Sequence, residues 1–410
     1  MSAAVAFDPM QRAIIDDPFP ALRELCEHDP VHWSPQLGGW VLTRYETIRT
    51  ALRDPRFSAD RIRPFIDHLP ARERALLEGL GRNLSLWAVF NDPPAHTRLR
   101  GLMNKAFTSR AVSSLRPRVR AIVDELLDKV AARGEMDVIR DFAYPLPATV
   151  IAEMLGVPRP DVELLKQWSD ELNAFVGGAR ATPDKYRIAA RGIAEMTDYF
   201  SRFLVERRKR PGEDVTSALI AAEDRGEALS AEELVACCVL LLFAGHETTT
   251  HLMGNGLLAL LRHPDQLADF RAHLDDPELA ASAVEEMLRY DGPSLSQVRV
   301  MAEDAELEGK RLRQGERVFL MLAAANRDPR VFADPDRFDI RRSDNRHLTF
   351  GFGIHFCLGA PLARMEGQVA FPALLRRFAA IELRDANPRW SDNLVMRGMH
   401  HLPVGFSLAA

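Results

Sequence analysis

The ten residues Phe350-Gly351-Phe352-Gly353-Ile354-His355-Phe356-Cys357-Leu358-Gly359 set a cysteine just ahead of the helical pattern Ala360-Pro361-Leu362-Ala363-Arg364-Met365-Glu366. At a helix start, free backbone N–H groups and the helix dipole lower a thiol's pKa and favour the thiolate, the form that ligates a soft metal. Gly351, Gly353 and Gly359 permit tight turns and the close approach of a flat ligand. Phe350 and Phe356 are placed to shield the sulfur from water. An arbitrary buried cysteine is more often simple packing, but this context points to a ligand. The other three cysteines lack it. Cys26 is isolated. Cys237 and Cys238 are neighbours, about 100° apart on a helix, and read as small buried hydrophobes. No disulfide framework or paired Cys-x-x-Cys zinc site is present.

A second chemical group is Gly245-His246-Glu247-Thr248-Thr249-Thr250, a polar interruption inside an apolar run. Burying it is costly unless its groups are paired or used. A merely kinked core helix is the plainer alternative. A third is Glu286-Met287-Leu288-Arg289, whose spacing of three puts carboxylate and guanidinium on one helix face. Such a pair alone is ordinarily a surface ion pair; the flanking Val284, Met287 and Leu288 suggest partial burial. Asp276-Pro277-Glu278 opens that helix. The stretch Asn326 to Arg342 reads only as a Pro-punctuated loop.

These groups need elements to position them. Ser230-Ala231-Glu232-Glu233 is a capping-box signature, so a helix begins there and ends before Pro264. Roughly thirty residues are then helical and apolar on nearly every face, which places the helix inside the protein. Apolar stripes predict further packed helices over 112–130 and 193–205. Short β patterns occur at 31–33 with 40–42, at 299–300, at 318–320 and at 402–408. The expectation is a mainly α fold with small β-sheets and one domain spanning residues 1–410. The chain has 410 residues, 47% hydrophobic and 27% charged, which is globular composition and excludes general disorder. A net charge of −5 offers no global attraction to nucleic acid or an anionic membrane. The first residues lack a basic flank and apolar run, and no unbroken apolar stretch approaches the ~20 residues needed to span a bilayer. A cytoplasmic protein, with no nucleic-acid or membrane partner, is expected.

In this order, the segments resemble the cytochrome P450 family across essentially the whole chain. Phe350-Gly-x-Gly-x-His-x-Cys357-x-Gly359 is similar to its haem-binding signature, and Glu286-x-x-Arg289 to its structural pair. Ala244-Gly245-His246-Glu247-Thr248-Thr249 resembles the oxygen-activation motif. Asp92-Pro93-Pro94-Ala95-His96-Thr97-Arg98-Leu99-Arg100 resembles the early haem-contact helix of bacterial members. The resemblance implies haem b enclosed between the long central helix and the Cys357 loop. Cys357 becomes the axial thiolate. His96, Arg100, Arg299 and His355 neutralise the propionates. Thr248 hydrogen-bonds bound dioxygen, Glu247 relays protons and Gly245 leaves room for dioxygen. Arg342 completes the Glu286–Arg289 network, with Arg341 as the one-residue alternative.

The implied reaction is reductive activation of O2 and insertion of one oxygen atom into a small, largely apolar substrate. Phe243, Leu295, Met396 and Trp87 are candidate pocket residues, with 57–91 and 168–186 as bordering segments. No flavin or iron–sulfur domain follows the haem domain, so a separate ferredoxin or flavodoxin with an NAD(P)H-dependent reductase is expected. Arg98, Lys105, Arg110, Arg346 and Arg364 form the expected basic docking surface, and the protein is expected to be monomeric. A haem-based gas sensor or electron carrier is the rival class. The Glu247-Thr248 pair argues against it, because proton delivery to bound oxygen serves catalysis. The same pair disfavours a peroxide-driven oxygenase.

Overall fold

The capping box forms as its residues predict. Ser230 N–H donates to the Glu233 carboxylate (2.8 Å), and Glu233 N–H donates to Ser230 Oγ (3.2 Å). Two helix-end donors that would otherwise lack partners are thereby satisfied, a gain of about 1 kcal/mol. From this start a single α-helix runs over Ala231–Arg262, and Pro264 opens the next helix, Pro264–Ala272. The polar stretch at 245–250 does not interrupt the helix. Its break is one of chemistry only, because local bonds such as His246 Nδ1 to Leu242 O (2.8 Å) leave the backbone ladder undisturbed. The helix is long and apolar enough to cross a membrane by length and composition, but most of it is buried within the protein.

The computed structural model describes residues 7–177, 184–223 and 229–409. Residues 1–6, used above for the N-terminal reading, and 178–183 of the 168–186 segment lie outside the described residues. The chain divides into two compact units, one built from Met1–Phe57, Ser114–Leu146 and Thr248–Ala410, the other from Ser58–Ser113 and Pro147–Glu247.

The first unit carries the sheets. Val31–Ser34 pairs antiparallel with Gly39–Leu42, which runs parallel to Arg317–Leu320, and Gln297–Met301 pairs antiparallel with that strand. Val31, Leu42, Val318 and Leu320 bury one face of this sheet against Tyr45, Ile48 and Phe332. Val41, Val298 and Phe319 bury the other against Leu22 and Leu25 of the Phe19–His28 helix. Alternate residues therefore serve two cores. A second sheet joins Glu135–Asp137, Pro403–Leu408 and Phe378–Leu383. The helices Arg116–Ala131 and Pro277–Asp291 both pack on Ala360–Arg377.

The predicted stripe over 112–130 is two helices, Ser109–Ser114 and Arg116–Ala131. Pro117 explains the division: it has no N–H to continue a helix but fits the first turn of a new one. In the second unit, the Val162–Val176 helix packs along Lys185–Lys209, which contains the predicted stripe over 193–205.

Candidate active site

The Cys357 loop is folded back on itself by three backbone bonds. Gly351 N–H donates to Leu348 O (2.7 Å), Cys357 N–H to Phe350 O (2.9 Å) and Phe356 N–H to Gly353 O (3.1 Å). Gly351 and Gly353 hold φ of +71° and +74°, a region costly for residues with a side chain. A Cβ on Gly351 would stand 2.8 Å from Gln297 Nε2. Glycine thus lets Gln297, whose Oε1 accepts a bond from the buried Arg299 (3.1 Å), pack against the loop. Gly359 is different. Its φ of −80° suits any residue, and a Cβ there would meet Cys357 Sγ at an ordinary 3.9 Å, so the expected tight turn does not depend on it. Gly359 instead caps the Ala360–Arg377 helix, which puts Cys357 two residues before the cap and just ahead of the helix, as its place in the sequence implies. His355 ends a short 3-10 turn in the same loop and is half-buried.

Cys357 is the exposed cysteine; Cys26, Cys237 and Cys238 are buried. Burial pushes the Cys238 thiol up to about 12 and Cys237 well above its ordinary value, so these remain protonated and inert. Among the described residues no group of three or more His, Cys, Asp or Glu could hold a bare metal ion. An accessible thiol outside any such group would suit a metal that arrives with further ligands of its own, as haem iron does, and buried Arg299 would suit that group's carboxylates.

Two adjacent acids on the Pro277–Asp291 helix hold this region together. Glu285 accepts from Arg364 (2.6 and 2.8 Å) and from His347 Nε2 (3.1 Å), and the Arg364 guanidinium lies 4.6 Å from the Phe350 ring centroid. Burial opposes its ionisation, but Arg364 and His347 prevail and hold its carboxyl down to about 2. Glu286 accepts both arms of Arg289 at 2.7 Å, Arg342 Nε at 3.2 Å, Asn345 at 3.2 Å and Asp339 N–H at 2.8 Å. Arg289 also donates to the carbonyls of Asn326, Pro335 and Arg337. Both side chains of the Glu286–Arg289 pair are 0% exposed, which rules out the surface ion pair. Arg342 is the third member, since Arg341 turns away to Asp269 (2.6 and 2.8 Å).

The central helix contributes to both units. In the second unit Phe243 packs on Trp87 with ring centroids 5.5 Å apart; Trp87 is fully buried, its Nε1 donating to Asn83 Oδ1 (3.0 Å). A Cβ on Gly245 would stand 2.6 Å from Ile151 Cγ1, so glycine is needed there for packing against the Pro145–Leu155 helix. Exposed Ala244 lies one residue before it, and Glu247 accepts a hydrogen bond from Asn173 Nδ2. His96 and Arg100 share the Ala95–Ala106 helix; burial, then the charge of Arg100, pushes the His96 imidazole below its usual pKa.

In the first unit Thr248 is half-buried, and Leu295 meets the Met396 segment through Leu295 N–H to Val395 O (2.8 Å) and a Ser294–Met396 bridge. Here too lies Glu366, which the sequence reading passed over. It is fully buried with no well-formed bond to either oxygen, and burial, outweighing the neighbouring Thr249 hydroxyl, raises its pKa to about 8. The available signal was one carboxylate among Leu362, Met365, Val369 and Ala370.

The expected basic surface is weaker than its residue count. Arg98 is paired with Glu233, Arg346 with Asp344 and Arg364 with Glu285. Each partner cancels charge that would steer an acidic protein.

A sequence profile described as Cytochrome P450 matches residues 40–406. The cytochrome P450 monooxygenase PikC of Streptomyces venezuelae is 44% identical over 398 residues, covering 95% of this chain and 91% of the relative. The 6-deoxyerythronolide B hydroxylase of Saccharopolyspora erythraea is 40% identical over 392 residues, covering 93% and 94%. The crystal structure of P450BioI in complex with hexadec-9Z-enoic acid ligated acyl carrier protein matches with a TM-score of 0.89 at 37% identity, covering 97% of this chain and 99% of that one. The likeness spans nearly the whole chain in both sequence and backbone, and it includes the segment with the accessible thiol. By these relationships this chain belongs to the cytochrome P450 family, whose members are haem-dependent monooxygenases.

Proposed function

We propose that this chain, working as one monomeric catalytic domain in the cytoplasm, binds haem b through Cys357 and oxygenates a small, largely apolar organic substrate. The observation that carries the reading is the contrast between Cys357, accessible in a loop closed on itself, and three buried cysteines held as thiols. When bound, the haem supplies the iron at which dioxygen is reduced so that one of its atoms enters a substrate C–H bond. Electrons come from a separate ferredoxin or flavodoxin with its NAD(P)H-dependent reductase. Arg299, His355, His96 and Arg100 hold the propionates. Phe243, Trp87, Leu295 and Met396 contribute apolar surface for the substrate. The acyl chain in the P450BioI complex supports that polarity.

Glu247 is the residue that moves a proton. The Asn173 amide holds its carboxylate, and Thr248, the next residue, offers a hydroxyl that both accepts and donates. A side chain without a hydroxyl at position 248 removes the last donor while leaving the helix intact. Thr248→Ala should therefore keep normal folding and haem content. Product formed per reduced nicotinamide should fall about tenfold or more, with hydrogen peroxide taking its place. Unchanged coupling, measured with the reductase chain and a substrate found by Soret-shift screening, would contradict the role of Thr248.

A further inference from the structure

The first unit contains a cavity of about 720 Å³ that the oxygenase reading does not use. Its size is that of a ligand site. Its walls come from the end of the central helix (Asn255, Arg262), the Arg12–Asp16 helix and the 387–390 and Arg397 segments. Five guanidinium groups line it, those of Arg12, Arg262, Arg327, Arg389 and Arg397, against the three carboxylates of Asp16, Asp17 and Asp291. Arg12 is paired with Asp16 and Asp392, Arg327 with Asp336 at 3.2 Å and Arg397 with Asp291 at 2.6 Å. Arg262 donates only to the Ala386 carbonyl (2.9 Å), and Arg389 makes no ion pair or hydrogen bond among the described residues. Two cations therefore face the cavity without a carboxylate of their own, opposed by Asp17, which accepts the Phe19 N–H (3.2 Å).

The wall is also rigid. Arg397 lies 3.6 Å from the Trp390 ring centroid, and Arg327 lies 4.1 Å from that of Tyr290. Stacking fixes these two cations as the frame of the cavity beside Arg262 and Arg389. Asn255 ties the back of this wall together. It is 2% exposed, and its Nδ2 donates to Asp291 O and Arg397 O, both at 2.9 Å. Those two carbonyls identify the amide's nitrogen end and leave Oδ1 as a buried acceptor with no partner.

We propose that this cavity is a second small-molecule site, taking a multivalent anion of the polycarboxylate or phosphoryl class. Arg262 and Arg389 bind the anionic groups. Ligation would also brace the Arg397 segment, which Asn255 holds through the Arg397 carbonyl and which directly follows Met396.

The test is titration calorimetry of the haem-loaded protein with citrate and, separately, pyrophosphate. Either probe should bind saturably at one site, citrate alone marking a carboxylate ligand and pyrophosphate alone a phosphoryl one. Arg262 and Arg389 are exposed at the surface, so Arg262→Gln and Arg389→Gln should fold normally. Each should weaken binding about tenfold by removing one charged hydrogen-bond donor. Amide hydrogen exchange should slow in 386–398 on binding. If neither probe bound, if both variants bound as the unaltered protein does, or if protection appeared elsewhere, the proposal would be overturned. Haem content and the carbon monoxide spectrum are unaffected in every case, so this result is separable from the oxygenase reading.

Discussion

Glu286→Ala should yield little folded, haem-loaded protein. The substitution removes the acceptor for Arg289, Arg342, Asn345 and the Asp339 N–H together. It leaves the Arg289 guanidinium charged with no exposure to water, and breaking one partner of a buried pair costs about 3–5 kcal/mol. Set against a total stability of about 5–15 kcal/mol, that loss is a large share. It also falls where it matters, because the same helix holds the Cys357 loop through Glu285, His347 and Arg364. The readings are soluble yield, haem per chain and melting temperature. Glu286→Gln, which keeps one acceptor, should fall between. A Glu286→Ala protein with normal yield, haem and melting temperature would show that the network is not what secures the loop.

The second large effect is on pH dependence. Glu366 has a folded pKa of about 8 against an ordinary 4.5, so between those values the folded protein holds a proton that the unfolded chain has released. Stability from this group is fully present below the unfolded value, falls as pH rises through the window and stops changing above the folded value. The span corresponds to about 5 kcal/mol for a group with no access to water. Glu366→Gln, neutral at every pH, should remove that slope. Denaturant unfolding of the haem-loaded protein at pH 5 and pH 9 should show a smaller difference for the variant than for the unaltered chain. Equal differences would mean that Glu366 is not held as a buried neutral acid.

What the sequence made legible was local. The capping box at Ser230–Glu233, the Asp276 cap and the hairpin at 31–42 depend on residues close along the chain, and all form as read. The Pro117 break was legible by the same logic, yet the strong apolar stripe masked it. Other features depend on partners remote in sequence. Choosing Arg342 over Arg341 required the path of the 326–342 loop, and Gly245 needed Ile151 to show what fills the space beside it. Glu285 owes its role to Arg364, 79 residues on, which no local pattern shows. Glu366 was hidden for the converse reason, since burial without partners leaves no pattern of charge to read.

The central claim is that the Cys357 sulfur is the metal ligand, and the most direct measurement is the absorption spectrum of the reduced, haem-loaded protein under carbon monoxide. A thiolate ligand shifts the Soret band strongly to the red. The unaltered chain should show that band, Cys26→Ser and the Cys237→Ser, Cys238→Ser double variant should retain it, and Cys357→Ser should lose it. A Cys357→Ser protein that kept the red-shifted band would contradict the account.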